Sequence, residues 1–265
     1  KTVHLLERRP GIDLVEVTGT AHFPFPMHCD AAPYDDVNVR LALKYAMNRE
    51  EMVEKILRGH GSVGNDHPIA PAYRFHNAEL EQRAYDPDKA KYHLKQAGRD
   101  SLDVTLATSN GAFAGAVDAA VLFQESAARA GITVNIKNEP ADGYWSNVWL
   151  KKPFCASYWS GRATEDWMFA TAYEEGVPWN DSQWDSEDSP RFHELLLTAR
   201  AELDTDKRRE QYYEMQQILR DDGGVLLPMF ANNVQAVNNR ISSPETIGNV
   251  WQMDNGRMAE RWSVA

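Results

Sequence analysis

The sequence is poor in cysteine: Cys29 and Cys155 are the two thiols in 265 residues. A pair in a chain of this length is no disulfide framework, so stability must come from a hydrophobic core. The count leaves open one bridge or two buried thiols, because geometry decides between them. Long apolar runs are missing as well. None approaches the roughly 18 residues of a membrane-spanning helix. Basic charge is scarce beside acid: 28 Lys and Arg against 39 Asp and Glu give a net charge of −11. That balance argues against general binding to nucleic acid or anionic lipid, while still allowing a local basic pocket. Apolar residues at 43% and charged residues at 25% fit a folded globular chain. Lys1 in place of Met, with no signal-peptide pattern, is expected of a processed protein or a fragment.

Motifs for catalysis and cofactors are also lacking. There is no GxSxG elbow, no GxxxxGK[ST] loop and no HExxH pair. Gly59-His60-Gly61-Ser62-Val63-Gly64 matches GxGxxG, but a helical pattern precedes it and a loop follows. A pyrophosphate site needs strand before and helix after, so these glycines read as a helix stop and turns. The eight histidines are scattered; His60, His67 and His76 share a loop-like stretch without metal-site spacing. The acidic run Asp181, Asp185, Glu187, Asp188 lacks calcium-loop spacing and reads as solvated or helix-start charge. No cofactor or metal is expected.

What is present is an α/β pattern. Leu14, Val15 and Val17 read as a strand, and residues 22–28, rich in Phe and Pro, as an extended segment. Val37, Leu41 and Tyr45 give one helical stripe. Asn48 with Glu51 caps a second helix, and Asp86-Pro87 starts a third. Residues 59–85 read as a loop. Residues 102–136 predict a β-α-β unit, from alternating Leu102, Val104, Leu106 and Ile132, Val134, Ile136 around a helix over 116–130. A helix over 142–150 and a strand over 154–159 follow, then a loop over 160–190. Two helices, from Pro190 and from about Asp206 to Asp221, lead to a strand over 225–230 and a strand-like run over 234–237.

Tryptophan is concentrated: Trp145, Trp149, Trp159, Trp167, Trp179 and Trp184 are six of the eight. Large amphipathic rings in a loop-rich region line a ligand cleft or form the core under those loops. Trp159, at a strand end, is the best cleft candidate of the group.

The stretch Pro33-Tyr34-Asp35 through Val39-Arg40, Tyr45-Ala46-Met47-Asn48-Arg49-Glu50 carries a resemblance. Matching blocks follow in order: Arg58-Gly59-His60-Gly61, Tyr85-Asp86-Pro87 through Gly98, and Ser189-Pro190-Arg191-Phe192 with Leu195-Leu196. Over residues 20–240 the chain resembles the extracytoplasmic solute-binding proteins of peptide, nickel and oligosaccharide ABC transporters, family 5. The resemblance implies an α/β fold of the type II periplasmic-binding class and corresponds to the family's second half. Residues 1–28 would be the end of lobe one and the first crossing strand. Residues 29–227 would be lobe two, and residues 228–265 a second crossing strand returning to lobe one.

The function implied is capture of a peptide-like or other small, anionic solute by clamp closure, and delivery to an ABC permease. A monomer without enzymatic activity, in the periplasm or otherwise extracytoplasmic, is expected. A carboxylate-dependent hydrolase and an interaction module without a small ligand are the alternatives. In peptide-binding members a Gly-Trp-x-x-Asp stretch lines the cleft, its Asp holding the ligand's ammonium. The corresponding stretch here is Tyr158-Trp159-Ser160-Gly161-Arg162. Arg162 reverses that charge and would select an anion. Its alternative is solvent, or pairing with Glu165 or Asp166. Phe25 would add stacking, and Asn180 and Trp184 are further ligand-binding candidates placed by the family's loop.

Overall fold

A short helix, Val3–Leu6 (α1), leads into the long strand Ile12–His22 (β1) and then Phe25–Pro26 (β2) in a computed structural model that describes residues 3–185 and 187–264. Helix Val37–Tyr45 (α2) begins where Asp36 accepts a hydrogen bond from the amide of Asn38. Helix Arg49–Lys55 (α3) begins at Asn48, whose side chain accepts from Glu51 N and donates to the Glu51 carboxylate. The cap stands where the spacing predicted, with Glu51 reaching the Asn48 side chain rather than its backbone amide.

The segment 59–85 is more than a loop. Gly61–Val63 (β3) pairs with a later strand, and Asp66, His67 and Arg83 are buried within the segment. Asp66 accepts from both Arg49 (2.6 and 2.7 Å) and Arg83 Nε (3.0 Å), and from the amide of Leu227. Three donors on one buried carboxylate replace the water it has lost. Burial pushes the Asp66 carboxyl up, but Arg49, Arg83 and Lys44 together hold it below its ordinary value.

Helix Pro87–Gln96 (α4) is capped by Asp86. Strand Leu102–Thr108 (β4), helix Ala116–Ala128 (α5) and strand Ile132–Asn138 (β5) form the expected β-α-β unit. The two strands are parallel and in register from Leu102–Ile132 to Thr108–Asn138. The helix expected over 142–150 shrinks to Tyr144–Asn147 (α6). Residues 154–159 make no strand with its own ladder. They are held by single bridges, Met27 to Phe154, Ala107 to Cys155 and His22 to Trp159.

The region 160–190 also departs from a loop. Helix Glu165–Ala172 (α7) starts where Thr164 accepts from the amide of Trp167, with Glu165 and Asp166 favoured in its first turn. Helices Pro190–Ala201 (α8) and Thr205–Asp221 (α9) lie as expected. Pro228, with no N–H to donate, divides the strand expected over 225–230 into Val225–Leu226 (β6) and Met229–Asn238 (β7). The run 234–237 is the second half of β7. The tail adds strand Ile241–Ser242 (β8), a turn Gln252–Asn255 (α10), helix Met258–Arg261 (α11) and strand Ser263–Val264 (β9). Within α10, Met253, Asp254 and Asn255 have positive φ, so it winds left-handed.

β1 and β7 run antiparallel, with a register shift between Val17 and Ala21, and β3 flanks β7 on its other side. One hydrophobic cluster packs β4, β5, α2 and α5; a second packs α7, α8 and α9. Trp149 packs against both. Cys29 and Cys155 are buried free thiols, and burial pushes the Cys29 thiol up to about 12. No helix among the described residues is long and apolar enough to cross a membrane.

Candidate functional site

The segment 154–159 is stitched between the extended residues 22–28 and the end of β4. Trp159 exchanges both backbone hydrogen bonds with His22 (2.9 and 3.0 Å), Ser157 N donates to Pro24 O, and Ala156 N donates to Ala107 O. These bonds fix where the chain leaves the core, and residues 158–162 emerge beyond them. Gly161 then passes against β1. A Cβ at Gly161 would stand 1.7 Å from Thr20 Oγ1, so any larger residue here would collide with the Thr20 side chain. Gly161 O accepts from the indole of Trp251 at 3.2 Å, which ties the tail to this segment.

Tyr158, Trp159, Ser160 and Arg162 line one cavity of about 380 Å³ together with Trp145, Trp149 and Trp179. The rings are linked edge to face. Tyr158 meets Trp145 at 5.3 Å, Trp145 meets Trp149 at 5.6 Å, and Trp149 meets Trp159 at 6.2 Å between centroids. Packing divides the tryptophans between core and cavity wall. Trp184 is core, Trp145 and Trp179 present open faces, and Trp159 forms a wall between the two.

Under the cavity floor, Asp181 accepts from the indoles of Trp149 and Trp159. The expectation of a solvated charge fails at Asp181, which is buried. Burial pushes its carboxyl up to about 6, while the hydrogen bonds from Trp149 and Trp159 work in the opposite sense.

Arg162 is held at its backbone, where its amide donates to the Tyr73 hydroxyl at 2.9 Å. Its Nη1 donates to Ser160 O, Ser160 Oγ and Gly161 O. The guanidinium lies 5.5 Å from the Trp159 ring and 5.8 Å from the Trp167 ring. Partial burial lowers its pKa, and Tyr73 offsets this only in part. The two nearby acids are engaged elsewhere. Glu165 accepts from Phe75 N at 2.7 Å, and Asp166 pairs with Arg200 at 2.7 Å. Among the described residues Arg162 has no carboxylate partner, which resolves the alternative of local pairing.

Three expected site residues do not line the cavity. Phe25 is fully buried against Phe113 and Phe123. Trp184 is fully buried on Phe192 and donates to Asp222 at 2.8 Å. The Asn180 amide is buried and donates to Trp184 O at 2.7 Å. An enclosed side chain whose polar atoms are already paired offers no surface to a ligand. Asp181 and Tyr73 were missed by sequence reasoning. Neither stands at a spacing that betrays its partners.

The fold is that of the type II periplasmic-binding class. It superposes on the DppA periplasmic binding protein of Helicobacter pylori in complex with peptide STSA, with a TM-score of 0.83 at 22% identity. The superposition covers 99% of this chain and 51% of that one. The oligopeptide-binding protein AppA of Bacillus subtilis, in complex with a nonapeptide, gives 0.80 at 18% identity over 100% of this chain and 52% of that one. The family model for bacterial extracellular solute-binding proteins, family 5 (middle region), matches residues 1–181, and the chain belongs to that family. It is 27% identical over 233 residues to the dipeptide-binding protein of Escherichia coli K12, covering 84% of this chain and 42% of that protein. It thus spans about half the length of such relatives. The family is one of binding proteins.

Proposed function

We propose that the chain is the ligand-binding lobe, with its crossing strands, of the substrate-binding component of an ABC importer. It captures a peptide-like or other small solute bearing an anionic group. Residues 1–28 and 228–265 serve as the crossing strands and the return to the other lobe, and residues 29–227 as the lobe itself. Tyr158, Trp159, Ser160, Gly161 and Arg162 contact the ligand. Contacts shared between lobes favour the closed state, which a membrane permease then receives. The working place is periplasmic or otherwise extracytoplasmic, and the working state a monomer.

The observation that carries this reading is Arg162: a cation without a carboxylate partner among the described residues, at an aromatic cavity beside β1. Thermal shift against acidic and basic dipeptides, opines, sugars and metal chelates tests it. A ligand raises the melting temperature by mass action and is not consumed. Arg162→Asp should abolish the shift given by anionic ligands. Unchanged affinity for them in that variant would overturn the assignment.

A further inference from the structure

We propose that the aromatic cavity takes a flat aromatic monocarboxylate, its ring against Trp179 and its carboxylate on the Nε–Nη2 edge of Arg162. This rests on the solute-binding reading above and names the ligand class for the same site.

Three observations point the same way. First, five of the seven residues lining the cavity are aromatic, and Arg162 is the charged one. A single cation among rings asks for one negative charge on an apolar body. Phosphate, with more oxygens to satisfy, needs more donors than this lining provides. Second, the rings are unequally used. Tyr158, Trp145, Trp149 and Trp159 spend their edges on one another. Trp179 is 48% exposed and makes no ring contact among the described residues. A large half-exposed ring at a cavity wall is a stacking face, and an incoming ring gains both burial and offset stacking there. Third, the guanidinium is committed on one side. Nη1 carries all three side-chain hydrogen bonds, and Nε and Nη2 donate to no protein acceptor among the described residues. Those two N–H groups are parallel, at the spacing of carboxylate oxygens. The Trp159 and Trp167 rings lie 5.5 and 5.8 Å from the guanidinium carbon, within cation–π range, which favours keeping the fork at the cavity. The cavity volume, about 380 Å³, is at the small end of ligand pockets and suits one fused ring system better than an extended oligomer.

Ligand-observed NMR and calorimetry with 2-naphthoate, 2-naphthamide and octanoate test this on the chain as it stands. The naphthoate should bind at least about tenfold more tightly than either of the others. Arg162→Gln should erase the preference for naphthoate over naphthamide. Trp179→Leu should erase the preference over octanoate and leave the preference over the amide. Arg162→Lys keeps the charge but loses the fork, and should fall between wild type and Gln. Circular dichroism confirms that each variant folds. Equal binding of octanoate overturns the aromatic assignment, and equal binding of the amide overturns the carboxylate assignment. If acidic peptides bind while naphthoate does not, the ligand class falls and the solute-binding reading stands. If neither binds, both fall.

Discussion

Trp149 and Trp159 donate their indole N–H groups to one oxygen, Oδ2 of Asp181, each at 3.1 Å. The two rings come from separate segments, one just beyond α6 and one at the end of 154–159. A single buried carboxylate therefore sets the angle between two walls of the cavity. Ring positions at the cavity depend on a buried residue.

The protonation of Asp181 should be visible in stability. Its folded carboxyl is pushed up from 3.8 to about 6 by burial. Across that window the folded state holds more protons than the unfolded one, so this group's contribution to stability is lost as pH rises from about 4 to about 6. Asp181→Asn keeps an acceptor and removes the charge. Its melting temperature relative to wild type should climb over the same interval. Asp181→Leu orphans both indole N–H groups and should cost about 1–3 kcal/mol for each left unpaired. Calorimetric scans at pH 4, 5, 6 and 7 measure this, and parallel wild-type and Asn profiles would contradict it.

Removing Asp66 should be far more damaging than its position in an irregular segment implies. Arg49 and Arg83 both rely on it, and all three side chains are buried. Asp66→Ala leaves the buried Arg49 guanidinium without a carboxylate and Arg83 with Asp221 alone, at 3.0 Å, and a loss of about 3–5 kcal/mol is expected. Denaturant unfolding supplies the measurement. A change below about 1 kcal/mol would mean that the pair is not what fixes this segment.

Gly161→Ala tests the contact between the site segment and β1. The added methyl would lie 1.7 Å from Thr20 Oγ1 and 2.5 Å from its Cβ, so rotating the hydroxyl cannot relieve it. Overpacking of this kind costs about 1–3 kcal/mol. Thr20→Gly in the same chain should recover most of the loss, less the hydrogen bond from Thr20 to Val250 O. A double-mutant cycle reads the coupling; strictly additive effects would rule out the direct contact.

Local rules were legible wherever a segment satisfied its own backbone. Asn48 and Asp86 cap their helices as the spacing predicted, and the alternation around 102–136 forms one parallel unit. The reading failed where distant partners decide. Residues 154–159 read as a strand, yet their bridges go to three separate places. Helix α7 escaped notice because its polar and aromatic residues carry no amphipathic stripe. Its start shows only in the Thr164 cap. Of the expected site residues, Tyr158, Trp159, Ser160 and Arg162 share one cavity, and they are nearly contiguous in the chain. Phe25, Asn180 and Trp184 were misplaced because an aromatic or amide side chain serves core and cleft equally well until packing is known.

The sequence by itself determined the family, the α/β order of elements and the charge at position 162, since each depends on residues close together in the chain. Tertiary structure alone decided that Arg162 stands without a carboxylate partner among the described residues. Glu165 and Asp166 lie within reach by sequence, but Phe75 N and Arg200 claim them. Asp181 was likewise an unremarkable acid in an acidic run until folding placed two indoles on it. Even the scarcity of basic charge gains its meaning from packing. In a chain with a net charge of −11, Arg162 lies among rings with no carboxylate partner among the described residues, and it is packing that keeps the nearby acids from it.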